Sequence, residues 1–342
     1  MQELQKTADR FEAKPAMMTK ANGQWESITW KDYLGQVRTT ARAFMALGLE
    51  KGKSVSILGF NCPQWYISNL AAIFAGGIPS GIYTTSSPEI CRYVAEHSEA
   101  NIIVVENAEQ LGKIVQVKDQ LPDLKAIVLM KGNASNERVI AWNDLQAFSD
   151  IISDEDLNVR INEQSPDDCC ELIYTSGTTG PPKAVMLSHD NIVWTARQLV
   201  TEYGIGHDEH VISYLPLSHI YEQIASYYSS ILKGFTVWFA ESFEQLKDNL
   251  LEVRPTVFIG VPRVWEKIEE AMITAGAQNS ALKQKIAAWA RKKGLAGAYA
   301  HQDGNPMPFM YGMAGKLVFS KVRQKLGLDR CQFFVSSAAP IS

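Results

Sequence analysis

Between Ser54 and Met130 the chain repeats one pattern. Short, continuous apolar runs, SVSILGF, IPSGIY, NIIVVE and KAIVLM, alternate with segments of helical character. Runs apolar on both faces are strands of a parallel sheet covered by helices on both sides. The pattern resumes at HVISYLP, FTVWFA, TVFIGV and CQFFVS. The chain is therefore expected to be α/β, with two sets of strand–helix units flanking the stretch around Ser176. Ligands of such sheets bind outside the carboxyl ends of the strands.

Local signals fill in the elements. Asn22-Gly23 predicts a two-residue hairpin turn, which needs positive φ at both positions. Thr29 followed by Asp32 predicts a capped helix running to Gly48. Pro63 and Pro88 stand where helices start. Helices are further expected over Ala108–Gln120, Asp190–Tyr203, His219–Lys233 and Met313–Leu326. Pro262 opens a helical region to Arg291, which a Gly/Pro-rich loop, Gly294–Pro308, is expected to end.

Composition excludes several classes. Hydrophobic residues make up 46% and charged residues 20%, so disorder is excluded. A net charge of -4 gives no reason to expect nucleic acid as partner. Five cysteines without a CxxC pair fit reduced, mostly buried thiols rather than a disulfide framework. No metal-ligating set is read: Cys169-Cys170 lacks a second pair, and His207 and His210 lack a third ligand. MQELQKTADRFEAK carries no apolar core of a signal peptide. Leu70–Tyr83, the most apolar stretch, is too short to span a bilayer.

The densest chemistry lies in YTSGTTGPPKAVMLS, Tyr174–Ser188. It sits between two strand-like segments, ELIYT and KAVML. A Walker A loop requires GxxxxGK[ST] running into a helix; here Pro182 stands where the second glycine should, and Lys183 precedes Ala184. Phosphate binding survives that exclusion. Gly177 and Gly180 permit positive φ, so backbone N–H groups can converge on an anion. Thr175, Ser176, Thr178 and Thr179 add hydroxyl donors, and Lys183 adds a charge. A Ser/Thr/Gly surface turn with an ordinary lysine would have the same composition. His219 is by itself equally a helix-start residue, and Ser218-His219 with Glu222 lacks the GxSxG elbow of a hydrolase.

The ordered string YTSGTTGPPKAV resembles the phosphate-loop signature of the adenylate-forming, AMP-dependent synthetase and ligase superfamily, with Ala184 where glycine is usual. PSGIYTTSSPE, YLPLSHIYEQ, GVPRVWEKIEE and the closing SSAAP are similar to long-chain acyl-CoA synthetases, most closely the bubblegum-type branch. The similarity runs from Phe11 to Ser342. It implies a layered large domain of two Rossmann-like subdomains, roughly 50–187 and 188–342.

The resemblance also implies a fatty-acid–CoA ligase with ATP, Mg²⁺ and coenzyme A. Fatty acid, ATP and the coenzyme would be its small-molecule substrates. Thr178, Lys183 and His219 are implied in the chemistry. Thr175, Ser176, Gly177, Thr178, Thr179, Gly180, Lys183, Ser337, Ala338 and Ala339 are implied in nucleotide binding, with Ser337 where glycine is usual. The family's Tyr-Gly-x-[Ser/Thr]-Glu motif, its ribose-binding aspartate and its mobile C-terminal domain with a catalytic lysine are not found. The expectation is thus an incomplete AMP-binding domain, cytoplasmic or peripheral to an intracellular membrane, with sheet edge and apolar surface left uncovered. An inactive nucleotide- or acyl-binding module and an adenylating enzyme for another acid are the alternatives.

Overall fold

The computed structural model describes residues 1–133, 139–175, 180–337 and 339. The chain divides into two compact units: Met1–Glu209 with Ser213–Phe243, and His210–Ile212 with Glu244–Ser342.

The first unit opens with a hairpin of β1 (Pro15–Ala21) and β2 (Gln24–Thr29). Asn22 and Gly23 turn it at φ 52° and 77°, as the Asn-Gly pair predicts. Thr29 caps the helix Trp30–Ala46, its Oγ1 accepting from the Asp32 N–H at 3.1 Å.

Seven strands follow: β3 (Ser54–Leu58), β4 (Ile78–Ile82), β5 (Ala100–Val105), β6 (Ala126–Leu129), β7 (Val139–Ala141), β8 (Cys169–Thr175) and β9 (Lys183–Ser188). They form one sheet in the order β7-β6-β5-β3-β4-β8-β9. Only the β8–β9 pair is antiparallel. Helices Pro63–Phe74 and Pro88–His97 connect β3 to β4 and β4 to β5. Ile57, Ile102, Ile103 and Val104 are wholly buried. This is the continuous apolar patterning of a sheet covered on both faces.

The remaining strands are β10 (His210–Ser213), β11 (Thr236–Phe239), β12 (Val257–Gly260) and β13 (Phe333–Ser336). In the first unit β11 pairs in parallel with β1, Met17 opposite Val237. In the second unit β10, β12 and β13 run parallel, with Val211 opposite Val257 and Phe258 opposite Phe334.

Three local readings need correction. The helix from Ala108 closes at Val115, and a tight 3₁₀ turn, Lys118–Gln120, follows it. The segment after His219 is one turn of α-helix, then a π-helical stretch Gln223–Tyr228, then α-helix Ser229–Lys233. The loop read from Gly294 begins later, because a single helix runs Ala281–Gln302. Its glycines mark close packing. A Cβ on Gly297 would overlap the Tyr311 ring, and one on Gly294 would stand 3.1 Å from Phe319 Cζ.

All five cysteines are free, four of them buried. Among the described residues no helix is long and apolar enough to cross a membrane.

Candidate active site

The order of strands in the seven-stranded sheet reverses at β3. The chain passes from β3 to β4 on one side, then crosses to β5 on the other. The topological switch point therefore lies between β3 and β5. A loop from Ser213 to His219 lies over the carboxyl ends of β3 and β4. Asn61, just beyond β3, donates from Nδ2 to Ser213 Oγ and to the Leu215 carbonyl, both at 2.8 Å. On β4, a Cβ added to Gly81 would stand 2.7 Å from Ser218 Cα. Only glycine lets the strand end and this loop approach so closely.

His219 is exposed at the end of that loop. It caps the short helix Ile220–Glu222, with Nδ1 accepting from the Tyr221 N–H at 3.1 Å. That bond puts the proton of the neutral ring on Nε2, leaving Nε2–H free to donate.

β8, parallel neighbour of β4, carries the phosphate-loop string to the same carboxyl end. β8 and β9 form an antiparallel hairpin in which Thr175 faces Lys183 and Tyr174 faces Ala184. Ser176, Gly177, Thr178 and Thr179 lie outside the described residues, as does Ala338. Gly180 has φ 97°, the conformation for which glycine is suited. Ala184 lies within β9 and is not among the residues with positive φ, so the missing glycine costs no backbone strain there.

Lys183 is exposed. The hairpin is braced from the helix Pro88–His97. Tyr93 Oη donates to the Pro182 carbonyl at 3.0 Å, and His97 Nδ1 lies 2.9 Å from Tyr174 Oη. Thr175, Gly180 and Lys183 thus close the β8–β9 hairpin at the carboxyl end of β8, and His219 follows the loop packed on Gly81 of the neighbouring strand β4. Ser337 and Ala339 belong to the second unit. There the Ser337 N–H donates to the Gly260 carbonyl at 3.3 Å beyond β13, and Ala339 is exposed.

Sequence reasoning missed the polar core beneath this end. Glu171 of β8 is fully buried. Its Oε2 accepts from Asn69 Nδ2 at 2.9 Å and lies 3.2 Å from Tyr228 Oη; its Oε1 accepts from Gln223 Nε2 at 3.1 Å. Gln223 also donates to the Leu217 carbonyl at 2.8 Å, so it ties β8 to the His219 loop. Glu222 is buried alongside, accepting from Ser213 Oγ at 2.6 Å and Ser226 Oγ at 2.9 Å. The available signals were a glutamate inside an apolar strand, CCELIYT, and a run of small polar residues in a helix, SYYSS.

Burial raises Glu171 from 4.5 to about 8 and Glu222 to about 7, against the opposing pull of their hydrogen bonds. In the unfolded chain both carboxyls ionise near the ordinary value, while the fold keeps them protonated. Their contribution to stability is full below that value. It is lost as pH rises through about 7 for Glu222 and about 8 for Glu171. The slope is on the order of 1.4 kcal/mol per pH unit for each group. The melting temperature is expected to fall between roughly pH 6 and roughly pH 8. In a Glu171→Gln/Glu222→Gln double variant the same scan is expected to be nearly flat.

A mostly parallel sheet with a Gly/Thr-rich hairpin string at the carboxyl end of β8 defines an open α/β domain of the nucleotide-handling type. The chain belongs to the AMP-binding enzyme family, whose model matches residues 4–342.

Among curated relatives, the long-chain-fatty-acid–CoA ligase ACSBG2 of Xenopus laevis is 46% identical over 99% of this chain and 47% of its own length. The ACSBG2 of Homo sapiens is 41% identical over 99% of the chain and 52% of its own length. The ACSBG1 of Bos taurus is 43% identical over 98% and 48%. The chain spans about half the length of these relatives.

Solved structures share the fold. The anthranilate CoA ligase AuaEII in complex with anthranoyl-AMP matches with a TM-score of 0.68 at 20% identity, over 76% of this chain and 49% of its own. ATP-bound MatB from Rhodopseudomonas palustris matches with a TM-score of 0.64 at 22% identity, over 78% and 50%.

Proposed function

We propose that this chain carries the nucleotide-handling part of an AMP-forming long-chain-fatty-acid–CoA ligase. The observation that carries the reading is the hairpin in which Thr175 faces Lys183 at the carboxyl end of the sheet, built on the string YTSGTTGPPKAV. The names of the relatives support the substrate class.

In this reading a fatty carboxylate oxygen attacks the α-phosphorus of ATP. Acyl-AMP forms and pyrophosphate leaves. The thiol of coenzyme A then attacks the acyl carbon, and AMP departs. Positioning and charge neutralisation carry such chemistry, without a side-chain nucleophile. The hairpin loop, Thr175 to Lys183 with Thr178 at its centre, would hold the β- and γ-phosphates. His219 would donate from Nε2 beside the adenylate. Ser337 to Ala339 would line the adenine side.

The donors fit an anion: a hydroxyl, a positive-φ glycine and an unburied ammonium group. Among the described residues no cluster of three or more His, Cys, Asp or Glu is placed to hold a metal. Magnesium would arrive on the oxygens of ATP itself, where it would supply charge neutralisation. The division into subdomains of roughly 50–187 and 188–342 belongs to the same proposal.

Nucleotide titration of the chain tests the reading. Lys183→Ala is expected to weaken ATP binding roughly 30-fold, the worth of one charge-assisted contact of about 2 kcal/mol. AMP, which lacks the β- and γ-phosphates, should bind nearly as before. Equal losses for both nucleotides, or no ATP binding by the unaltered chain, would refute the assignment of the loop.

A further inference from the structure

Both ends of the string proposed to hold phosphates rest on one helix. Tyr93 and His97 stand four residues apart on the helix Pro88–His97 and so share a face. Their rings stack with centroids 5.5 Å apart. At the exit of the string, Tyr93 Oη donates to the Pro182 carbonyl at 3.0 Å. At its entry, His97 Nδ1 lies 2.9 Å from Tyr174 Oη, and the same oxygen lies 3.4 Å from the Val94 carbonyl. Tyr174 is 4% exposed. Burial pushes its hydroxyl up to about 12, so the proton stays available for these bonds. The helix is itself fixed. Cys91, Val94 and Ala95 are buried, and Ser87 Oγ caps its start by accepting from the Ile90 N–H at 3.4 Å.

The exit bond bears on the charge. Pro182 lies one residue beyond the last registered pair of the hairpin, Thr175 opposite Lys183. The Pro182 carbonyl and the Lys183 N–H belong to one rigid peptide plane. Holding that carbonyl therefore sets the direction in which the Lys183 side chain leaves the strand. Lys183 is exposed and has no ion-pair partner among the described residues. Backbone direction is thus the main restraint on where its ammonium group sits.

We propose that Tyr93, supported by His97, is a positioning residue for polyphosphate binding, which aims Lys183 through the Pro182 peptide. This role rests on the reading of the loop as a phosphate site.

Calorimetric titration of the full 342-residue chain with ATP and with AMP tests it. Tyr93→Phe keeps the ring and its stack on His97 and removes only the hydroxyl. ATP binding is expected to weaken roughly fivefold, the worth of one neutral hydrogen bond. AMP should bind nearly as before. In a Lys183→Ala background the same substitution should cost nothing further, because the charge it aims is gone; a double-mutant cycle isolates such coupling. His97→Ala, at an exposed position, should weaken ATP binding roughly threefold and spare AMP. It carries the test if Tyr93→Phe folds poorly.

Unchanged ATP affinity in these variants, beside the expected loss in Lys183→Ala, would overturn the brace and leave the loop reading standing. Equal losses for ATP and AMP would make Tyr93 a packing residue and overturn it, as would a loss that persists without Lys183. If Lys183→Ala itself leaves ATP binding intact, the loop reading fails and the brace falls with it.

Discussion

Replacing Glu171 by alanine is expected to lower stability by about 3–5 kcal/mol. The reason is the arrangement around a side chain with no exposed surface. Asn69 and Gln223 donate to it, and Tyr228 Oη lies within bonding distance. A protonated carboxyl suits this pocket. Its hydroxyl can donate to Tyr228 Oη, which passes its own proton to Asn69 Oδ1 at 3.2 Å. Alanine removes the acceptor of Asn69 Nδ2 and one of the two acceptors of Gln223 Nε2, which keeps its bond to the Leu217 carbonyl, and opens a void; a buried orphaned donor costs about 1–3 kcal/mol. Glu171→Gln keeps the shape and is expected to cost no more than about 2 kcal/mol. Denaturant unfolding would show the difference as a midpoint shift at unchanged slope. If alanine and glutamine cost the same, the carboxyl is not the hub described above.

The second large effect is expected at Gly81. Alanine there would bring Cβ to 2.7 Å from Ser218 Cα and 3.1 Å from its Cβ. The obstructing atoms include backbone, so the loop itself must move. Overpacking of this kind costs about 1–3 kcal/mol. The displacement passes directly to His219, the next residue. Imidazole NMR offers a readout that a general loss of stability would not mimic: of the six histidines, the His219 signal should shift while those of distant histidines stay in place. If the ligase reading holds, adenylation should slow on the order of 100-fold, since displacements near 1 Å have such effects. An unmoved His219 signal would mean that the strand end absorbs the methyl group and does not position the loop.

Elements with local causes were legible in the chain. The Asn22-Gly23 turn, the Thr29 cap and the proline-led helices at Pro63 and Pro88 each depend on a few neighbouring residues. The parallel sheet was legible because burial on both faces leaves unbroken apolar runs. What escaped notice depends on distant partners. Glu171 meets Asn69 and Gln223 across 102 and 52 residues, so nothing in CCELIYT announces its network. Gly294 and Gly297 read as breakers, yet they are glycines because aromatic rings of a later helical segment press against them. The π-helical turn at Gln223 has no local signature either. It belongs to the stretch that supplies Gln223, Ser226 and Tyr228 to the two buried carboxyls. Of the candidate site, residue types and spacing could be read directly. The placement of His219 beside the carboxyl ends of β3 and β4 could not, because it depends on Asn61 and Gly81 far earlier in the chain.

The pairing of β1 with β11 has a consequence for biosynthesis. Met17 finds Val237 as its neighbour, so the first strand leaves the ribosome long before the partner that completes its edge. At ~5–20 residues per second the delay is on the order of 10–45 s. Through that interval the nascent hairpin offers an open, hydrogen-bonding rim. Chaperone capture during translation should therefore concentrate in the window before residue 240 has cleared the exit tunnel.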